Sequence, residues 1–393
     1  MTDTAERLAT GGGDGAGAGA PWSVKVRTDD GALGLLEEDW RDLHRRSHPE
    51  TPFQSHAWLE SWWREYGRPG QLRLVLVRRD GRLVGAAPLM LVHRGPWQIL
   101  GPVGGDESDF HDVLLDAGSP ADVADRLAAA IAGIPGWHVL DIPDVRPGAA
   151  AEHLTRCWPA PQWRAPGSPV VEIQADSTGE FRTRLSDGIR EDLASTVRGA
   201  RAARIGARCV SAGEIAEAVP ALLRMYRACR QVDPERLGAR FERHLVRALR
   251  LMVEDGQARL TEYRIGDELV AADVVLVGPA FVGSYLAAFA PSLPERLDPA
   301  LMVLAQAFAM AAQLERPTVS LLQGDLPPRS HWRPAALRNR RLLLSRPRGP
   351  RRVQAAYALR LLRGAVDAPS TWRRLPVLQA VAARPGPRPR AGR

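Results

Sequence analysis

The sequence predicts an α/β protein built of two similar halves, each a mixed central sheet flanked by helices. Three observations predict it. Helical and strand-like periodicities alternate along the chain, as they do where helices cover a sheet. A length of 393 residues exceeds one ordinary core and suits two domains with extensions. One hairpin also recurs: Arg79 to Leu89 can be laid on Ile265 to Val275, with Leu83-Val84 meeting Leu269-Val270.

The elements follow in order. Residues 1–21 read as a disordered leader, because the run Gly11 to Ala20 is Gly/Ala-rich and lacks the basic-then-apolar order of a signal peptide. Leu36, Trp40 and Leu43 have helical spacing. Ser55 suits the N-cap of a helix whose apolar face is Trp58, Leu59, Trp62 and Trp63, an aromatic stripe expected to be core. Past Gly67 and Gly70 the period changes to that of strands. Leu72 to Val77 and Leu83 to Val92 form a hairpin about Asp80-Gly81, which supplies the positive φ such turns need. A strand from Trp97 to Leu100, a helix from Ala121 to Gly133 and a strand from Trp137 to Ile142 complete the first half, 22–172.

The second half, 173–348, repeats this grammar. It opens with a basic helix, Arg184 to Arg204, and a short strand, Ala207 to Val210. Two helices, Ile215 to Arg230 and Phe241 to Glu254, precede a hairpin of Ala258 to Ile265 and Leu269 to Val277. Then come a strand Phe281 to Phe289, a helix Pro299 to Leu314, a strand Thr318 to Leu322 and a turn at Gly324-Asp325. The helix is too short, and too interrupted by Gln306 and Gln313, to cross a bilayer.

Charge is unevenly placed. From Arg333 to Arg393 there are 16 arginines and one acid, Asp367, so residues 1–332 carry −7 of a net +8. An acidic body argues against nucleic acid as a partner. Lys25 is the only lysine, so arginine reflects composition before function. In the basic tail, 349–393, the stretch Val353 to Val366 is amphipathic, suited to an acidic membrane surface or to docking on the acidic body. Three widely spaced cysteines fit neither disulfides nor zinc and point to a reducing, cytoplasmic setting, with the inner membrane surface as the place the tail would take the protein. No metal is expected: His44 and His48 stand four apart, but Pro49 follows and no ligand partner lies near. No nucleophile elbow or P-loop is present.

Taken together, Thr51-Pro52-Phe53 with Trp58 to Trp63, the Arg79 to Leu89 hairpin, Ser108-Asp109-Phe110, the Arg-rich helix from Arg190, Leu269 to Ala272 and Leu321 to Asp325 closing at Trp332 carry a family resemblance. Over roughly residues 35–345 the chain resembles the GNAT-superfamily acetyltransferases of the CelD-like and BioF-like kind, associated with cellulose biosynthesis. The resemblance implies a tandem GNAT fold, shared with Fem-type transferases. It implies an acyltransferase whose co-substrate is acetyl-CoA or another acyl-CoA and whose acceptor is an amine or hydroxyl of a small molecule, sugar or cell-envelope precursor.

The resemblance also implies a site. Two neighbouring strands, Phe281 to Phe289 and Thr318 to Leu322, would part to admit the pantetheine arm, with Tyr285 and Ala287 as donor-binding candidates. The helix start Pro299-Ala300-Leu301 would face the pyrophosphate. The family's glycine after that proline is Ala300 here, and Asp298 precedes it. In the closing motif Gly324, Asp325 and Trp332 keep their places, while Arg329 replaces a lysine. Asp325, Arg329 and Asp109 are the catalytic candidates, and Arg190, His111 and Trp332 the acceptor-binding ones. Two further readings stand beside this one: a Fem-like transferase using charged tRNA, and an inactive scaffold, to which Ala300 and Arg329 point.

Overall fold

A computed structural model describes residues 21–47, 50–175, 187–229, 237–294, 297–323 and 335–367. The first half runs β1 (Trp22–Arg27), α1 (Glu37–Arg46), α2 (His56–Tyr66), β2 (Leu72–Arg79), β3 (Arg82–Arg94), β4 (Trp97–Pro102), the short β5 (Leu114–Leu115), α3 (Pro120–Gly133), β6 (Val139–Val145), α4 (Ala151–Cys157) and β7 (Gln162–Gln174). The second runs α5 (Asp187–Ala202), β8 (Ile205–Cys209), α6 (Ile215–Cys229), α7 (Ala239–Glu254), β9 (Ala258–Ile265), β10 (Glu268–Val277), β11 (Val282–Phe289), α8 (Pro299–Gln313), β12 (Thr318–Gln323) and β13 (Ala335–Ser345). A last helix, α9 (Arg351–Asp367), follows.

The duplication is visible in the element order. Apart from the short β5, β1-α1-α2-β2-β3-β4-α3-β6 is matched in order by β8-α6-α7-β9-β10-β11-α8-β12. Local signals place several of these elements. Ser55 caps α2 by accepting from the Trp58 N–H at 3.3 Å. Asp80 and Gly81, at φ 52° and 75°, form the tight β2–β3 turn.

All the main strands join one sheet in the order β1-β2-β3-β4-β6-β13-β7-β12-β11-β10-β9-β8, with β5 paired to β3. Among the described residues only β4–β6 and β11–β12 are parallel. The centre is an exchange. β7, from the first half, lies against β12, while β13, from the second, lies against β6. The two exchanged strands pair with each other from Gln162↔Leu344 to Glu172↔Ala335. The expected boundary at 172/173 therefore falls inside β7. Between these two strands, a Cβ on Gly167 would meet the Asn339 backbone at 2.9 Å, a contact that glycine avoids.

One large core lies between the halves. Trp40, Trp58, Leu222, Leu245, Phe281 and Tyr285 meet there, and the aromatic stripe of α2 is buried in it as expected. The opposite sheet face is covered by α3 and α4 in the first half and by α8 in the second.

Five elements went unseen in the sequence: β1, α4, the short β5, β7 and β13. β7 contains Pro166, Gly167 and Pro169, which read as loop, and β13 is interrupted by Arg338, Arg340 and Arg341. The tail helix α9 docks on the body: Tyr357 is buried and donates to Asp141 at 2.6 Å, and the Trp97 indole donates to the Val353 carbonyl at 3.1 Å. Among the described residues, no helix is long and apolar enough to cross a membrane.

Candidate functional site

β11 and β12 are in register at two positions only, Val282↔Val319 and Gly283↔Ser320. Both strands then bulge. Opposite β10, Val274 pairs with Leu286 and Val275 with Ser284, which leaves Tyr285 as the extra residue. Opposite β7, β12 shifts between Ser320 and Gln323, with Leu322 at φ 59° and its N–H on the Ser320 hydroxyl at 3.1 Å. Bulges bend a strand and increase its twist, so two of them beyond one shared pair drive the strands apart. The edge of β11 from Ser284 onward has no ladder partner on that side among the described residues.

The first half has the same split, with β4 and β6 paired only at Ile99↔Val139 and Leu100↔Leu140. Here the chain closes the gap itself. The His111 N–H donates to the Asp144 carbonyl at 3.3 Å. Its ring nitrogens lie 3.2 Å from the Pro143 carbonyl on β6 and 3.0 Å from the Gly105 carbonyl beyond β4. Burial lowers the His111 pKa, against Asp144 and the two carbonyls that favour the charged form. Asp112 next to it accepts from the Val113, Ala150 and Ala151 N–H groups, and burial pushes its carboxyl up to about 7. The split that stays open in the described residues is the one in the second half.

Side chains from both halves border that split. Glu172 on β7 is in register with Ser320, hence in one row with Gly283. Its carboxylate accepts from Arg146, just past β6, at 2.6 Å. The Arg146 guanidinium in turn lies 4.9 Å from the Phe110 ring centre and 5.0 Å from that of Phe281. Burial raises the Glu172 pKa, and Arg146 partly offsets this. Gln323 donates its amide to the Asp109 carbonyl, joining the end of β12 to the first half.

The start of α8 is already occupied. Asp298 accepts from the Ala300 and Leu301 N–H groups at 2.9 and 3.2 Å, so the donors a diphosphate would use are capped by a carboxylate. Ala300 and Leu301 are buried.

The structure therefore separates the expected site residues. Tyr285 and Asp109 share the boundary between the halves, whereas His111 lies inside the first half, where it bridges β4 and β6. Tyr285 is buried against Phe53 and Trp58 and donates to the Glu107 carbonyl at 3.0 Å. Ala287 shares a second cluster with Ala300, beside Pro299 and Leu301. Arg190 falls in α5. Asp325, Arg329 and Trp332 lie outside the described residues. Glu172 and Arg146 were missed. Glu172 sits in an ordinary alternating stretch, Val171-Glu172-Ile173, and Arg146 is one of many arginines. Among the described residues no group of three His, Cys, Asp or Glu side chains is placed to hold a metal ion.

Comparison with known proteins fits this geometry. Residues 189–330, which span most of the second half, match the acetyltransferase (GNAT) domain family. No curated protein shows a significant match. Among solved structures, the chain is similar to FemX at 11% identity and a TM-score of 0.58, over 82% of this chain and 98% of that one. It is similar to the C-terminal domain of a putative lysylphosphatidylglycerol synthetase from Agrobacterium fabrum at 11% identity and a TM-score of 0.52, over 83% and 96%. It is also similar to L-PGS from Bacillus licheniformis at 11% identity and a TM-score of 0.51, over 83% and 96%. These likenesses concern the fold.

Proposed function

We propose that the chain transfers an acyl group from an acyl-CoA thioester to an amine or hydroxyl of a small molecule or glycan precursor. The observation that carries this reading is the open split between β11 and β12 inside a GNAT domain. A pantetheine arm has amide groups that pair with an unpartnered strand edge as an added strand would. Holding donor and acceptor together there supplies much of the rate.

The chemistry balances without a metal. The acceptor's lone pair attacks the thioester carbon, a C–N or C–O bond forms, the C–S bond breaks, and the leaving thiolate is protonated as the acceptor loses its proton. The test is release of free thiol from acetyl-CoA and longer acyl-CoAs with a panel of amines and hydroxyl compounds, alongside calorimetric titration. Thiol release that depends on acceptor is expected. Neither heat nor thiol release with any acyl-CoA contradicts the reading.

One observation favours a second reading. Asp298 occupies the N–H groups that a CoA diphosphate would use. An aminoacyl ester donor, as in a Fem-like transferase, needs no diphosphate at that point. This reading calls for charged tRNA to bind with an affinity that falls steeply with salt.

A further inference from the structure

We propose that Glu172 accepts the proton of the attacking acceptor and that Arg146 is the positioning residue that holds its carboxylate at the split. The proposal rests on the transferase reading and names a residue for its proton transfer.

Sheet geometry comes first. Val171 and Ile173 pack on the α8 side of the sheet, so Glu172 between them points to the face toward the first half. Val319 and Leu321 pack on that same α8 side, which puts Ser320 on the face of Glu172. Gly283, Ser320 and Glu172 form one row across β11, β12 and β7 at the last pair before the strands part. Neighbouring strands are about 4.8 Å apart, so Glu172 starts roughly 10 Å from the β11 edge. Its side chain and one water span that distance within the reach a general base requires.

Three other acids in the described residues have structural work. Asp112 caps α4. Asp141 is held by Arg341 and Tyr357. Asp298 caps α8. Glu172 is held differently, by one ion pair to Arg146 just past β6, and its neighbour across on β12, Ser320, carries no charge.

The electrostatics suit the task. Burial raises the Glu172 pKa above that of an exposed glutamate, which makes it a stronger base, and Arg146 acts in the opposite direction. The aromatic faces of Phe110 and Phe281 fix the guanidinium. In the step, the acceptor proton passes to a Glu172 carboxylate oxygen while the acceptor's electron pair bonds to the acyl carbon. Glu172 then returns the proton to the leaving thiolate.

The test is the pH profile of thiol release for wild type, Glu172→Gln, Glu172→Asp and Arg146→Gln, with melting curves to confirm folding. Glu172→Gln is expected to lower kcat on the order of 100-fold or more, to leave the donor KM within about twofold, and to abolish the acidic limb. Glu172→Asp should restore part of the rate. Arg146→Gln should move the acidic limb to higher pH, a shift that a purely structural role does not produce. A folded Glu172→Gln protein with kcat within threefold of wild type, or an unmoved limb in Arg146→Gln, overturns the assignment alone. Wild-type protein inert toward every donor overturns the transferase reading and the assignment with it.

Discussion

Gly283 and Ser320 form the last rung between β11 and β12, and everything distinctive about the second half begins one residue beyond them. A Cβ at Gly283 would stand 2.9 Å from both Leu322 Cδ2 and Phe281 Cε2.

Gly283→Ala should therefore push on both side chains at the apex of the split. Overpacking of this kind costs about 1–3 kcal/mol. Urea denaturation should show the loss and calorimetry should show weaker donor binding. Unchanged stability and unchanged binding contradict the placement of the donor there.

Asp298→Ser separates capping from charge. Serine caps as well as aspartate, so stability should stay within about 0.5 kcal/mol, whereas Asp298→Ala should cost about 1 kcal/mol. Two like charges about 4 Å apart near a protein surface repel by on the order of 4 kcal/mol. Asp298→Ser should accordingly bind CoA at least tenfold more tightly than wild type in a calorimetric titration. Equal affinities contradict the idea that this carboxylate opposes a diphosphate.

The fold was largely legible because its repeat unit is written in local signals. Asp80-Gly81 and Gly266-Asp267 mark the two hairpins, and Trp58 to Trp63 marks a buried helix face. The exchanged strands were not legible. β7 and β13 are made by long-range pairing, and each contains residues that locally argue against a strand. The ion pair beside the split was not legible for the same reason. The parting strands and the α8 start were expected from the family resemblance, but Glu172 and Arg146 are brought together by the placement of β6 and β7 in the sheet. A residue 26 positions away in sequence gives no local clue to that ion pair.

Asp273 on β10 is fully buried in register with Thr261 and Ala287, with the Tyr263 phenol as its polar neighbour. Burial raises its carboxyl from 3.8 to about 7. The folded state thus holds a proton that the unfolded chain releases. Its stabilising contribution is full below the unfolded pKa and is lost as pH rises through about 7. Denaturation at pH 5 and pH 8 should show wild type weaker at pH 8. Asp273→Asn should lessen that difference, leaving the part due to Asp112, which titrates in the same range. An identical pH dependence in both proteins contradicts the assignment.

The tail helix depends on a buried network. Asp141 accepts two bonds from Arg341, at 2.7 and 2.6 Å, and one from Tyr357 at 2.6 Å. Tyr357→Phe removes a bond to a charged group, worth about 1.5–3 kcal/mol. Loss of stability with faster amide exchange across 351–363 is expected. A silent substitution contradicts docking of α9 through Tyr357.

The most direct test of the open split is amide hydrogen exchange with and without an acyl thioester bound. Pairing of the donor with β11 predicts new protection over 284–289 and none over 101–105, where His111 already bridges the strands. Protection at 101–105, or none at 284–289 under conditions where the donor is consumed, would contradict the account.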